Sequence, residues 1–201
     1  PMLEVESTLA SANQMLAFEV PDLHKILASQ SAGTIGGVLA TNASGPRRLT
    51  AGAARDYLLG FDAISGRGER FKSGGKVMKN VTGYDLSKLI CGSYGTLAIF
   101  DEMTLKTLPK PETNISLLFP CDNLNAAVAQ IAGIFASPHE PNAAAILPQA
   151  IAAKVGVDFA GAMLAIIRLE GIDVSVADRA AHLLAACLLY TSDAADEVDR
   201  V

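Results

Sequence analysis

Residues 76–99, KVMKNVTGYDLSKLICGSYGTLAI, decide how this chain is read. Residues 85–90 make one or two predicted helical turns, and Gly92 supplies the left-handed stop that ends such a turn. Gly92 and Gly95 flank Ser93 and Tyr94, and the chain enters a predicted strand at Thr96. Glycine on both sides of a turn that feeds a buried strand permits close approach of a flat ligand or of another chain segment. An ordinary tight turn would use the same residues, so the pattern alone leaves both readings open.

Upstream, residues 57–65 (YLLGFDAIS), the turn Gly66-Arg67-Gly68 and residues 69–73 read as a β-hairpin. Downstream, residues 96–107 (TLAIFDEMTLKT) read as a long strand, and Pro109 and Pro111 punctuate the chain as a hinge would. Further upstream lies a second glycine segment, residues 32–45 (AGTIGGVLATNASG). Gly33, Gly36 and Gly37 let backbone approach something closely. Residues 38–41 are expected to open a short helix, whose unpaired N–H groups favour an anion such as a phosphate. Thr41, Asn42 and Ser44 add short polar groups, with Arg47 and Arg48 beside them. Tight packing accounts for these glycines equally well.

The segment is not a familiar nucleotide motif. It lacks G-x-G-x-x-G with an acidic residue further on, so an NAD site of the Rossmann type is unsupported. Gly75-Lys76 is followed by Val77, and Arg70 stands where the first Walker glycine belongs, which excludes a P-loop.

Beyond the hinge the pattern is strand, helix, strand, strand, helix. Residues 115–119, 143–147 and 163–169 are short apolar strands. Asp122 is expected to cap a helix with Leu124, Val128, Ile131, Ala132 and Phe135 on one face. Ser175 is expected to cap a second, with Val176, Ala180, Leu183, Leu184 and Cys187. Two amphipathic helices on one small antiparallel sheet is the split-βαβ, ferredoxin-like plan. The expected organisation is a first domain over residues 1–110, a smaller α+β domain over 111–187 and a tail over 188–201. The tail, with the acidic string TSDAADEVDRV, resembles translated adaptor sequence and is set aside from fold reasoning.

Composition narrows the function. The 201 residues are 50% hydrophobic and 18% charged, enough to build a packed core. Sixteen Lys and Arg against twenty-one Asp and Glu give a net charge of −5, which argues against nucleic acid as a partner. No apolar run approaches the roughly 20 residues that span a bilayer, so no transmembrane segment is expected. Cys91, Cys121 and Cys187 show no C-x-x-C spacing, so no zinc or iron–sulfur ligation is expected and the thiols read as reduced and cytoplasmic. His24, His139 and His182 form no helix signature for a metal and read as packing or surface.

Three stretches carry a family resemblance: GTIGGVLATNASGPRR (33–48), GAARDYLLGFDAISGRGERFKSGGKVMKNVTGYDLSKLICGSYGTLAI (52–99) and LKTLPKP (105–111). They resemble the vanillyl-alcohol-oxidase/PCMH-type FAD-binding superfamily, and within it the FAD-binding subunits of bacterial glycolate oxidase (glycolate dehydrogenase). The likeness runs from about residue 15 to 111 and continues more loosely over 165–184, where IIRLEGIDVSVADRAAHLL resembles the last strand and helix of the cap. It implies an α+β fold: a PCMH-type FAD-binding domain lacking its first part, followed by a ferredoxin-like cap. It also implies FAD as cofactor. By the same resemblance Thr34, Gly36 and Gly37 lie against the flavin and its pyrophosphate, and Thr41, Ser44 and Gly45 hydrogen-bond the cofactor nearby. Gly92, Gly95, Thr96 and Ile99 line the flavin site with backbone.

Two departures from the family pattern bear on activity. Residues 1–30 contain no P-x-G-x-G-T-like loop to cradle the pyrophosphate. At roughly 1.5–3 kcal/mol per charged hydrogen bond, that loss is expected to leave this chain alone binding FAD weakly or not at all. No G-H-x-G-D-G-N-x-H segment is present, and Tyr94 stands where relatives carry an acidic residue. Arg48, Arg55, Lys76 and Lys79 could supply charge for a carboxylate but read better as surface or ion-paired groups, and no catalytic base is assigned. The expected function is that of an accessory FAD-binding subunit of a complex oxidising glycolate to glyoxylate. It would work beside a catalytic flavoprotein subunit and an iron–sulfur subunit, in the cytoplasm and at the inner membrane only through partners. The alternatives are a self-sufficient FAD-dependent dehydrogenase for a lactate-type 2-hydroxy acid and a flavin-less scaffold subunit.

Overall fold

The computed structural model describes residues 1–22, 28–29, 31–77, 83–154, 157 and 162–190. His24, Lys79, residues 78–82 of the central motif and residues 191–201 lie outside the described residues. The chain divides into two compact units, Pro1–Lys110 and Pro111–Val201.

The first unit opens with helix α1 (Met2–Ser11), whose Met2 is fully buried. Strand β1 (Gln14–Met15) pairs antiparallel with β5 (Leu108–Pro109), so the proline stretch after the long strand returns to the start of the unit. Helix α2 (Ile35–Thr41) begins three residues before the expected residue 38, because Thr34 is extended and its hydroxyl accepts from the Gly37 amide. Gly36 and Gly37 are therefore inside the first turn. After α3 (Arg48–Ala51) and a 3₁₀ turn (Ala54–Asp56), β2 (Leu58–Ser65) and β3 (Arg70–Gly74) form the expected hairpin, with Gly68 at φ +78°. Helix α4 (Leu86–Ile90) is capped by the Asp85 carboxylate on Lys88 N. Strand β4 (Ala98–Leu105) pairs with β2, giving the order β3-β2-β4.

Aromatic rings set the packing of this sheet. Phe61 meets Phe71 and Phe100 edge-on at 5.6 and 5.7 Å, the arrangement the ring quadrupoles favour. Gly60 and Gly74 face each other across the hairpin with no room for a Cβ: at Gly60 it would strike Gly75 N, and at Gly74 it would strike Leu59 O. The core beneath holds Met2, Phe18, Leu39 and Leu58.

In the second unit, β6 (Thr113–Cys121), α5 (Leu124–Phe135), β7 (Ala143–Leu147), α6 (Gln149–Lys154), β8 (Met163–Gly171) and α7 (Asp173–Tyr190) follow in turn. The sheet order is β6-β8-β7, with β8 antiparallel to both neighbours. β6 and β7 are thus parallel and joined through α5, with β8 inserted between them, which is the split-βαβ plan. Alternate residues Leu117, Phe119 and Cys121 of β6 and Ala165, Ile167 and Leu169 of β8 point into a core closed by α5 and α7.

Three helical expectations in this unit need correction. The cap of α5 is Asn123, which accepts from Ala126 N at 3.0 Å, and not Asp122, because β6 runs on through Cys121 and delays the helix by one residue. Of the expected face, Ile131 and Phe135 pack against the core, while Leu124 and Val128 are about half exposed and the buried positions are Ala127 and Ile134. The small Ala127 lets the helix backbone approach the sheet more closely than Val128 would. Helix α7 starts at Asp173, since Val176 N already bonds Ile172 O, so Ser175 lies within its first turn. Its buried face is Val176, Ala180 and Leu183, and Leu184 is 44% exposed. The helix also continues to Tyr190, three residues into the stretch set aside as a tail.

Candidate functional site

The two glycine segments meet. Leu39, in the last turn of α2, offers a carbonyl that accepts from Gly92 N (2.9 Å) and from the Cys91 thiol (3.0 Å). The next carbonyl, Ala40 O, accepts from Tyr94 N at 2.7 Å. The final carbonyls of a helix have no partner within it, so these bonds join the turn of residues 91–94 to the end of α2 where acceptors are available. Gly92 (φ +88°) and Gly95 (φ +75°) occupy backbone that a side chain would strain, which explains the glycine at each. Tyr94, between them, takes φ +56° and leaves its ring 74% exposed.

The expected site residues divide by what their polar groups already do. Thr34 Oγ1 accepts from Gly37 N at 3.1 Å, which leaves its own proton for an outside acceptor. Thr41 donates to Gly37 O, and Thr96 donates to Ser93 O, so both hydroxyl protons stay within the fold. Ser44 Oγ donates to Asn42 O and accepts from Ala54 N, tying α2 to the 3₁₀ turn. Gly45 N bonds the carbonyls of Phe18 and Glu19. A Cβ on Gly36 would meet only Thr34 Oγ1, at an ordinary contact distance of 4.0 Å. Ile99 pairs with Ile64 across the sheet and is 69% exposed, and Leu97 is half exposed. Turn and strand therefore expose three apolar side chains, Tyr94, Leu97 and Ile99, along the segment that bonds the end of α2.

Neither of two cavities in the first unit is lined by any of these ten residues. One, of about 150 Å³, is bordered by Asp56, Tyr84, Asp85 and Lys88; the other, of about 310 Å³, by Leu9, Met15, Val20, Arg47 and Lys110. Among the cations considered for a carboxylate, Arg55 lies 4.0 Å from Asp56, and Arg48 and Lys76 are exposed. Lys88 bonds Arg55 O at 2.7 Å. Burial raises the Cys91 thiol from its ordinary value near 9 to about 11, so it is a protonated donor at neutral pH. Among the described residues no group of three His, Cys, Asp or Glu could hold a metal, and no helix is long and apolar enough to cross a membrane.

Sequence reasoning did not foresee the roles of Leu39 O, Ala40 O and Cys91. Main-chain acceptors leave no residue signature. Asn42 was legible in part: Asn directly after a helical run is a left-handed terminator second only to glycine, and its φ is +53°.

Residues 2–74 match the family model of the FAD binding domain. Glycolate oxidase subunit GlcE of Escherichia coli (strain K12) is 44% identical over 117 residues, 58% of this chain and 32% of that protein. Glycolate oxidase subunit GlcD of Bacillus subtilis (strain 168) is 36% identical over 149 residues, 71% of this chain and 32% of that protein. A D-lactate dehydrogenase of Anaerostipes hadrus is 41% identical over 110 residues, 55% of this chain and 23% of that protein. The chain thus spans no more than about a third of the length of these relatives. An alkyldihydroxyacetonephosphate synthase structure aligns with a TM-score of 0.68 at 20% identity, over 94% of this chain and 36% of that one, a likeness of fold. The resemblance read from the sequence is borne out by these relatives, as is the mixed helix-and-sheet fold, with residues 2–74 matching an FAD binding domain.

Proposed function

We propose that this chain, similar to glycolate oxidase subunits and matching an FAD-binding domain, supplies part of the flavin-binding wall of a multi-subunit oxidoreductase. Its reaction is the oxidation of glycolate to glyoxylate. The observation that carries this reading is the junction of Leu39 with Cys91, 52 positions apart, which brings the second glycine segment against the end of the helix built on the first.

The residues present fit FAD. Gly33 and Gly95 leave open space where a side chain would stand, and Tyr94, Leu97 and Ile99 offer exposed apolar surface to a flat ring. When bound, FAD supplies a two-electron acceptor for the hydride released from the hydroxyl-bearing carbon of the acid. Within this chain, Thr34, Gly36 and Gly37 would hold the pyrophosphate, with the Thr34 hydroxyl proton as donor. The backbone of Gly92, Gly95, Thr96 and Ile99 would hold the ring. Thr41, Ser44 and Gly45 border the cofactor, and the Ser44 bond to Ala54 holds that border in place. The turn, latched to the end of α2, would orient the ring and exclude water from one side of it. No residue here is assigned the base. A catalytic flavoprotein subunit and an iron–sulfur subunit complete the reaction and carry the electrons away, in the cytoplasm or at the inner membrane through those partners.

Anaerobic addition of glycolate to the complex purified from its natural source tests the reading. Bleaching of the flavin band is expected with the complex and not with the isolated 201-residue chain. No bleaching in the complex, or full turnover by this chain without partners, would overturn it. The 41% identity to a D-lactate dehydrogenase supports a second reading, a self-sufficient lactate-type enzyme. Faster bleaching by D-lactate than by glycolate in partner-free protein would select it.

A further inference from the structure

We infer that Asn42 is the positioning residue that sets the flavin turn against helix α2, an inference that rests on the flavin reading of residues 92–99. Asn42 ends α2 at φ +53°, with its amide donating to Leu39 O at 3.1 Å. The left-handed turn swings its side chain out of the helical path, and Oδ1 accepts from Arg55 N at 3.0 Å. A Cβ placed on Gly92 would lie only 3.3 Å from Asn42 Cβ, so the Gly92 backbone seats directly against this side chain. Cys91 Sγ lies 3.8 Å from Oδ1. One side chain therefore touches the end of α2, the 3₁₀ turn of Ala54–Asp56 and the start of the glycine turn.

The residue type follows from these demands. Glycine would adopt the backbone without strain but offer Arg55 N no acceptor. Alanine would provide neither the acceptor nor an easy left-handed conformation. Aspartate keeps both. Asn42 acts through the turn that carries Tyr94, Leu97 and Ile99, since its contacts are with Arg55 N, Cys91 and Gly92.

The test compares wild type, Asn42→Gly and Asn42→Asp in the natural gene product purified with its accompanying subunits. Two readouts are taken: the FAD dissociation constant, and the position and fine structure of the bound-flavin absorbance band. Asn42→Gly is expected to weaken FAD by up to about tenfold, the upper scale of one lost hydrogen bond, and to shift the band. Asn42→Asp is expected to restore both. A wild-type band in Asn42→Gly, whatever its unfolding midpoint, would overturn the inference, because a merely structural residue moves stability and not the spectrum. Should Asn42→Gly not fold, Gly92→Ala asks the same from the other side of the contact, and a wild-type band there overturns the inference equally. Absence of flavin from the wild-type complex would refute the flavin reading itself, a result distinguishable from either.

Discussion

At the scale of single residues, the glycines that matter most are those whose neighbours leave no alternative. Gly74 sits at φ +72° with Leu59 O where its Cβ would be, so strain and overlap act together. Gly74→Ala is expected to destabilise the first unit by about 2–4 kcal/mol, read from the denaturant midpoint. Gly68, also at positive φ but facing open space, should cost about 1 kcal/mol when changed to Ala. Cys91 makes a pH prediction. Its thiol is raised in the fold to about 11 from an ordinary value near 9, so the unfolded chain loses the proton first. The stability from the buried neutral thiol is complete below about pH 9 and falls as pH rises towards 11. Cys91→Ala should flatten that slope in alkaline unfolding titrations. Glycine turns were legible because few residues tolerate positive φ. The Leu39 carbonyl that receives the turn was not, since every residue carries a carbonyl.

At the scale of elements, strands were read more accurately than helix faces. Apolar runs bounded by Gly and Pro located β2, β3, β4, β7 and β8 to within two or three residues. The face of α5 was misread because its sequence, LNAAVAQIAGIF, is apolar almost all round. Periodicity then has little contrast, and the strand before the helix decides the angle. The buried side predicts a clear asymmetry. Ile134→Ala should cost about 2–4 kcal/mol, whereas Val128→Ser should stay within about 0.5 kcal/mol, both by thermal unfolding. Asn123→Ala should cost about 1 kcal/mol through the lost cap, and Asp122→Ala much less.

At the scale of the whole molecule, each unit has its own buried core, one around Phe18 and Leu39 and one around Ile167 and Val176. Residues 111–190 expressed alone are therefore expected to unfold cooperatively, with a calorimetric enthalpy matching the van't Hoff value. The candidate site draws on the first unit at two places distant in sequence. Its parts were readable as motifs, but their contact depends on how β4 and α4 return the chain to α2, which no local pattern encodes. The most direct measurement is amide hydrogen exchange of the natural gene product with and without FAD. Protection concentrated in residues 34–45 and 92–99 is the result this account predicts. Protection confined to other residues, or none on saturation with FAD, would contradict it.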